Sequence, residues 1–250
     1  MQSWSSPRPE VSIVIPARDE AGAIADLLRE IAAAMPLGRP FEVVVVDDGS
    51  TDGTADAVRR TGLPFVRVLR HETSGGKSRA IRSGALAARG AVLVTMDGDG
   101  QNDPRYLPAL IAPLDRDPGI GLVAGQRTRR HDGWVKKAVS RIANRLRRAM
   151  LSDDTRDTAC GLKAMRRDGY LLLPFFDNNH RFFPALFLRE GWRIAHVAVE
   201  DRPRRSGRSK YGVLDRALVG LPDLLGTFWL VRRAARRPEA VEILPETVDD

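Results

Sequence analysis

The 250 residues contain one cysteine, Cys160, so no disulfide can form within the chain, and a reducing compartment is the expected setting. Nowhere do eighteen apolar residues run without a charge, which argues against a bilayer-spanning helix. The N-terminus lacks the apolar run of a signal peptide. Four histidines, His71, His131, His180 and His196, lie scattered without metal-ligand spacing and read as structural or surface residues. Acid is in short supply. Asp and Glu number 32 against 40 Lys and Arg, and the net charge of +8 points to an anionic partner: nucleic acid, a phosphorylated substrate or a membrane surface. No internal repeat is present.

A hydrophobic content of 43% over this length is enough for one good core with appendages. After a polar leader, residues 1–10, Val11 to Pro16 reads as a buried strand. Ile24, Leu27, Leu28 and Ile31 recur at helical spacing in a helix that stops near Pro36. Phe41 to Val46, with four consecutive valines, predicts a parallel strand covered on both faces. A helix to Arg60, a strand Leu63 to Leu69, and a helix Gly76 to Arg89 with Ala80, Ile81, Ala85 and Leu86 inward follow. Then come a strand Val92 to Met96, a helix from Pro104 and a strand Ile120 to Gly125. Beyond these the pattern predicts a strand at 157–165, a helix Phe182 to Glu190 and a strand Trp192 to Val199. Such connections are too long for hairpins, so the fold class is α/β, a mostly parallel Rossmann-like sheet with helices on both faces.

Ligands in such sheets sit beyond the carboxyl ends of the strands. That rule brings Pro16 to Glu20, Asp47 to Ser50 and Asp97 to Gln101 to one edge. In the last of these, two carboxylates stand one residue apart, separated by Gly98, and Gln101 adds a neutral oxygen. Hard oxygen donors in a loop suit Mg²⁺ or Mn²⁺ shared with a diphosphate. Taken alone, an Asp-Gly-Asp is more often a plain turn; three acidic clusters converging on one edge favour a site.

The second half is basic. Arg127 to Arg148 holds nine Lys and Arg against one Asp, with Trp134, Val135, Val139, Ile142, Leu146, Ala149 and Met150 at helix-like intervals, which suggests contact with an anionic surface. Residues 202–210 form a basic loop. Val213 to Val231 is apolar, interrupted by Pro222, and ends in Phe228-Trp229 beside Arg232-Arg233, a pairing suited to a membrane interface. The expected divisions are the leader, a domain over 11–212, an amphipathic interfacial segment over 213–237 and an acidic disordered tail over 238–250.

Seven motifs then occur in one order: Ile15-Pro-Ala-Arg-Asp-Glu20, Val46-Asp-Asp-Gly-Ser-Thr-Asp52, Gly75-Gly-Lys77, Met96-Asp-Gly-Asp-Gly-Gln101, Gly125-Gln-Arg127, Cys160-Gly161 and Arg205-Ser-Gly-Arg-Ser-Lys210. Together they resemble family 2 glycosyltransferases of the GT-A fold, and within them the polyprenyl-phosphate branch that includes dolichol-phosphate mannosyltransferase. The resemblance covers roughly residues 10–212. It implies that Pro16, Arg18, Glu20, Val46 and Asp48 hold the nucleoside of a nucleotide sugar and that Asp97, Asp99 and Gln101, with Gly98 between the carboxylates, bind the metal. It further implies that Arg127, Arg205 and Lys210 contact the diphosphate or the incoming phosphate, and Lys136 and Ser140 the phosphate of a polyprenyl lipid. Asp99, Arg127, Arg205 and Lys210 are then the expected catalytic set. A peripheral enzyme on the cytoplasmic face of the cell membrane is expected, bound to anionic lipid.

An anionic lipid phosphate needs no strong general base, and no His/Asp dyad is evident. A saccharide acceptor on the same donor site would instead require a base near the metal. A nucleic-acid-binding protein is the reading from another class; the charge permits it, but no nucleic-acid motif is present and the acidic clusters would repel phosphate. Gly75-Gly76-Lys77 lacks the earlier glycine of a phosphate loop.

Overall fold

The computed structural model of the chain describes residues 8–128, 147, 150–203 and 213–233. Lys136, Ser140, Arg205 and Lys210, most of the basic stretch after Arg127, the loop from 204, residues 1–7 and the tail beyond 233 lie outside the described residues.

Ile13 and Ile15 point to one side of β1 (Val11–Ala17) and Val14 to the other, and both sides are covered. On the first side pack α1 (Ile24–Ala34), α2 (Thr54–Arg60) and α4 (Leu107–Arg116); α1 buries Ile24, Leu27, Leu28 and Ile31, as its spacing predicts. Each such fully buried aliphatic side chain contributes roughly 1.5–3 kcal/mol. On the second side lie α3 (Lys77–Ala87), α5 (Arg167–Leu171), α6 (Phe183–Arg189) and α7 (Val213–Arg232).

The remaining strands are β2 (Phe41–Asp48), β3 (Val66–His71), β4 (Val92–Thr95), β5 (Ile120–Arg127), β6 (Lys163–Arg166) and β7 (Arg193–Val199). They form one seven-stranded sheet in the order β3-β2-β1-β4-β6-β5-β7. β1 to β4 are parallel, β5 pairs parallel with β7, and β6 runs antiparallel between β4 and β5. The register sets Ala17 beside Asp47 and Val14 beside Thr95, so the carboxyl ends of β1, β2 and β4 open on the same edge.

Four expectations change. Leu86 is 57% exposed rather than inward; at 100° per residue it lies well off the stripe of Ile81, Gly84 and Ala85, and Gly84 lets the helix sit directly on Val14. The third strand begins at Val66 because Leu63 to Phe65 make a turn, with Val66 N–H donating to the Leu63 carbonyl at 3.1 Å. The predicted strand at 157–165 shrinks to β6, since the carbonyls of Thr158 and Cys160 accept from the Lys163 ammonium instead of joining the sheet. Pro222 does not interrupt α7. It lies on an exposed face, where water can take the carbonyl left without its N–H partner.

Candidate active site

Two loops at the carboxyl ends of β1 and β2 are joined by exchanged hydrogen bonds. Asp19, at φ 57°, donates its N–H to Ser50 Oγ at 3.0 Å, and its Oδ1 accepts from Thr51 N–H at 3.0 Å. The N–H groups of Glu20 and Ala21 donate to Thr54 Oγ1 and Asp52 Oδ2, both at 2.9 Å. Residues 32 positions apart are thereby held as one rim.

Asp48, expected at the nucleoside, has both oxygens occupied. Ser74 Oγ (2.7 Å), Gly75 N–H (2.8 Å) and Gly76 N–H (2.9 Å) donate to it, and His71 Nδ1 lies at 2.7 Å. Burial opposes its charge, but the bonds from Ser74, His71, Gly75 and Gly76 outweigh burial and hold the carboxyl below its ordinary range. The carboxylate therefore fixes the Ser74–Gly76 turn ahead of α3. The Arg18 guanidinium reaches the same turn from β1, donating to Ser74 Oγ at 3.0 Å. Val46 is fully buried against Ala80 of α3, so its side chain is core and only its backbone can face a ligand. Pro16 is half-buried, and Gly98 lies against Pro16 and Ala17, where a Cβ would meet Ala17 Cβ at 3.2 Å.

The paired carboxylates stand where expected, directly after β4. Asp99 is 7% exposed, and its Oδ1 accepts from Gln101 N–H at 3.1 Å, so it shapes the turn as well as lining it. Asp97 is more open, with its side chain 31% exposed, and it makes an ion pair with Lys77 at the start of α3. Burial opposes the Asp97 charge; Lys77 in contact, with Lys163 and Arg127 behind it, nevertheless holds the carboxyl below its ordinary range. Gly161 faces Asp97 from the other side, where a Cβ would lie 2.6 Å from Oδ2. Among the described residues no three His, Cys, Asp or Glu form a metal-binding group. Two carboxylates, one already holding a cation and backed by a cradle without side chain, fit a Mg²⁺ or Mn²⁺ that completes its shell with phosphate oxygens and water.

Arg127 sits at the end of β5, and its guanidinium is held by acids. Its Nε and Nη2 donate to Asp157 at 2.5 and 2.9 Å, and Nη1 donates to Asp201 at 3.0 Å. Burial would lower its pKa, and the two carboxylates more than reverse this, so it is charged at any ordinary pH. Asn102 carries the chain onward, with Oδ1 accepting from Asp97 N–H at 3.0 Å and Nδ2 donating to Asp201 at 3.3 Å. Arg127 thus braces the Asp97 loop from behind, through Asp201 and Asn102.

Sequence reasoning assigned no role to Lys77, Lys163, Asn102, Asp157 or Asp201. Gly75-Gly76-Lys77 and Cys160-Gly161 stand out as motifs, but their meeting at Asp97 depends on α3 lying across β1 and β2 and on β6 pairing with β4. Lys163 is 3% exposed, its ammonium donates to the carbonyls of Cys160 and Thr158, and burial pulls its pKa down to about 8. His180, read as structural, packs beside the site with Nδ1 2.7 Å from Ser78 Oγ. Burial first, then Lys77 and Lys163, keep it neutral.

A family model described as glycosyl transferase family 2 matches residues 12–171. The chain belongs to glycosyl transferase family 2. It is a glycosyltransferase with a GT-A fold. Relatives include a protein named dodecaprenyl-phosphate galacturonate synthase from Rhizobium johnstonii, 34% identical over 235 residues, covering 91% of this chain and 69% of that protein. Another is named undecaprenyl-phosphate 4-deoxy-4-formamido-L-arabinose transferase, from Edwardsiella ictaluri, 33% identical over 209 residues, covering 82% of this chain and 63% of the relative. The chain therefore spans about two thirds of the length of these relatives. Among solved structures, glucosyl-3-phosphoglycerate synthase from Mycobacterium tuberculosis with Mn²⁺, UDP and glucosyl-3-phosphoglycerate superposes with a TM-score of 0.67 at 26% identity, covering 91% of this chain and 80% of that one. The same protein with Mg²⁺ and UDP gives 0.66 at 25% identity, over 91% and 80%.

Proposed function

We propose that this glycosyltransferase moves a sugar from a GDP- or UDP-linked donor to a polyprenyl phosphate of dolichyl or undecaprenyl type, with inversion at the anomeric carbon. The observation that carries the donor half is the position of Asp97 and Asp99 beyond β4, with the rim of residues 18–21 and 49–54 at the ends of the neighbouring strands and Lys77 in contact with Asp97. The acceptor half is supported by the names of the relatives at 33–34% identity.

In this reading the joined rim with Arg18 and Glu20 holds the nucleoside, while Asp97, Asp99 and Gln101 hold Mg²⁺ or Mn²⁺. A divalent ion there would offset the charge that develops on the leaving diphosphate. Lys77 and Lys163 add a positive field at the same place. By the resemblance, Arg205 and Lys210 would contact the phosphates, and Lys136 with Ser140 the acceptor's phosphate. The acceptor oxygen is already anionic, so it forms its bond to the anomeric carbon as the carbon–diphosphate oxygen bond breaks, with no proton to remove.

The acceptor places the enzyme at a membrane surface, and we assign it to the cytoplasmic face as a peripheral protein. No described helix is long and apolar enough to cross a bilayer. Helix α7 carries two apolar stripes: Leu224, Phe228 and Val231 pack on the core, whereas Leu221, Leu225 and Trp229 are 53%, 52% and 57% exposed at intervals of four residues. The guanidinium of Arg233 lies 5.1 Å from the Trp229 ring, so apolar surface and positive charge adjoin, as an anionic membrane interface requires.

The superposed synthase supports a second reading, in which the acceptor is a small soluble phosphorylated acid. One experiment separates the two. The enzyme is given a panel of UDP- and GDP-sugars with Mn²⁺ or EDTA, and either undecaprenyl phosphate or 3-phosphoglycerate. Metal-dependent transfer into the organic phase is expected. Transfer to 3-phosphoglycerate alone would overturn the lipid acceptor, and undiminished turnover in EDTA would overturn the metal.

A further inference from the structure

Two lysines stand beside Asp97, and they differ in freedom. Lys163 is 3% exposed and tied to the carbonyls of Cys160 and Thr158, so its departure would strand buried acceptors. The Lys77 side chain is 33% exposed, and its only partner among the described residues is the Asp97 carboxylate. That carboxylate is itself open enough, at 31%, for a dissolved cation to reach. Lys77 therefore occupies an oxygen that a divalent ion would need, while Lys163 cannot take its place.

We propose that Lys77 is a placeholder cation on Asp97, displaced when a divalent ion arrives and transferred to the diphosphate of the donor. A carboxylate flanked by buried groups is costly to leave without a counter-charge. The ion pair removes that cost while the metal is absent. An ion on Asp97 and Asp99 would hold the diphosphate within reach of a side chain already touching Asp97, so the released ammonium finds a new anionic partner a short swing away. Metal and nucleoside diphosphate then favour each other twice, once by sharing oxygens and once because the diphosphate takes the competitor off Asp97. The second contribution belongs to Lys77 and is reciprocal between the two ligands.

The inference rests on the donor-site reading above, and the test keeps the two apart. Mn²⁺ binding is titrated by water-proton relaxation, alone and with UDP or GDP, in the wild type, Lys77→Met, Lys77→Arg and Asp97→Asn. Lys77→Met should bind Mn²⁺ alone about tenfold more tightly, and the factor by which the nucleotide tightens Mn²⁺ should shrink by a similar amount. Lys77→Arg, which keeps the charge, should stay near the wild type. Mn²⁺ affinity in Lys77→Met equal to or weaker than in the wild type would overturn the placeholder. A nucleotide effect of the same size in both would overturn the transfer to diphosphate. Wild-type Mn²⁺ binding in Asp97→Asn would instead sink the donor site itself, whatever Lys77 does.

Discussion

A Cβ placed on Gly161 would stand 2.6 Å from both Cγ and Oδ2 of Asp97, and 2.7 Å from Oδ1 of Asn102. Close approach, not a left-handed backbone, is what demands glycine there, since Gly161 is absent from the positive-φ residues. Gly161→Ala should push Asp97 off its position, at a stability cost of about 1–3 kcal/mol. Mn²⁺ affinity and turnover should both fall by at least about tenfold, corresponding to roughly 1.4 kcal/mol. Thermal melting with Mn²⁺ titration checks this; unchanged metal affinity would show that Asp97 has room to give.

Asp48 joins β2 to the turn before α3 through Ser74, Gly75 and Gly76, and to β3 through His71. Asp48→Ala leaves those donors without their acceptor and should destabilise the fold by about 2–4 kcal/mol. Its folded pKa lies below the ordinary 3.8, so the carboxylate's contribution is complete above that value and fades as pH falls through the lower one. The stability gap between wild type and variant should therefore be constant from neutral pH down to about pH 5 and close only in stronger acid. Denaturant titrations across that range measure it. A gap that closes near neutral pH would assign the effect to another group.

Lys163 has the opposite linkage. Burial lowers its pKa from 10.5 to about 8, so between those values the unfolded chain binds more protons than the folded one, and stability should rise with pH. Lys163→Met should lose that rise while also loosening the loop whose carbonyls the ammonium holds. Comparing the two proteins' denaturation midpoints at pH 7.5 and pH 9.5 isolates the difference from other titrating groups. Equal slopes would mean that Lys163 stays charged throughout.

Trp229 and Leu225 extend from the outer stripe of α7 and contribute little to the core. Leu225→Glu with Trp229→Ala should leave melting unchanged within about 0.5 kcal/mol. Co-sedimentation with anionic liposomes should fall about tenfold, and wild-type binding should weaken with salt, since each nearby Lys or Arg contributes about 1 kcal/mol to attraction that ions screen. Equal sedimentation of both proteins would move the membrane face elsewhere.

The strand–helix alternation, the buried valines of β2 and the inward stripe of α1 were legible because burial on a regular element repeats with the period of that element. The edge shared by the loops after β1, β2 and β4 was legible too, since parallel strands deliver their carboxyl ends to one side. Asp97 and Asp99 could be placed there from the chain alone. Roles that depend on which element flanks which could not. The acids that hold the Arg127 guanidinium come together only in the fold, since Asp157 and Asp201 reach it once β6 and β7 flank β5. The donors on Asp48 are likewise set by the fold, since the turn after β3 brings Ser74, Gly75 and Gly76 to its two oxygens.

By itself the sequence determined the α/β class, the order of most elements, the family resemblance and the paired carboxylates after β4, because each is written in local spacing along the chain. The tertiary structure alone decided that β6 enters antiparallel beside β4, that Gly161 and Lys163 reach Asp97, that Lys77 rests on it, and that α7 keeps one apolar stripe outside. Those facts depend on contacts between residues far apart in the chain, such as Thr95 Oγ1 donating at 2.8 Å to the carbonyl of Gly161, 66 positions away. No local period records such a contact; it exists only once the sheet order has set which side chains share space.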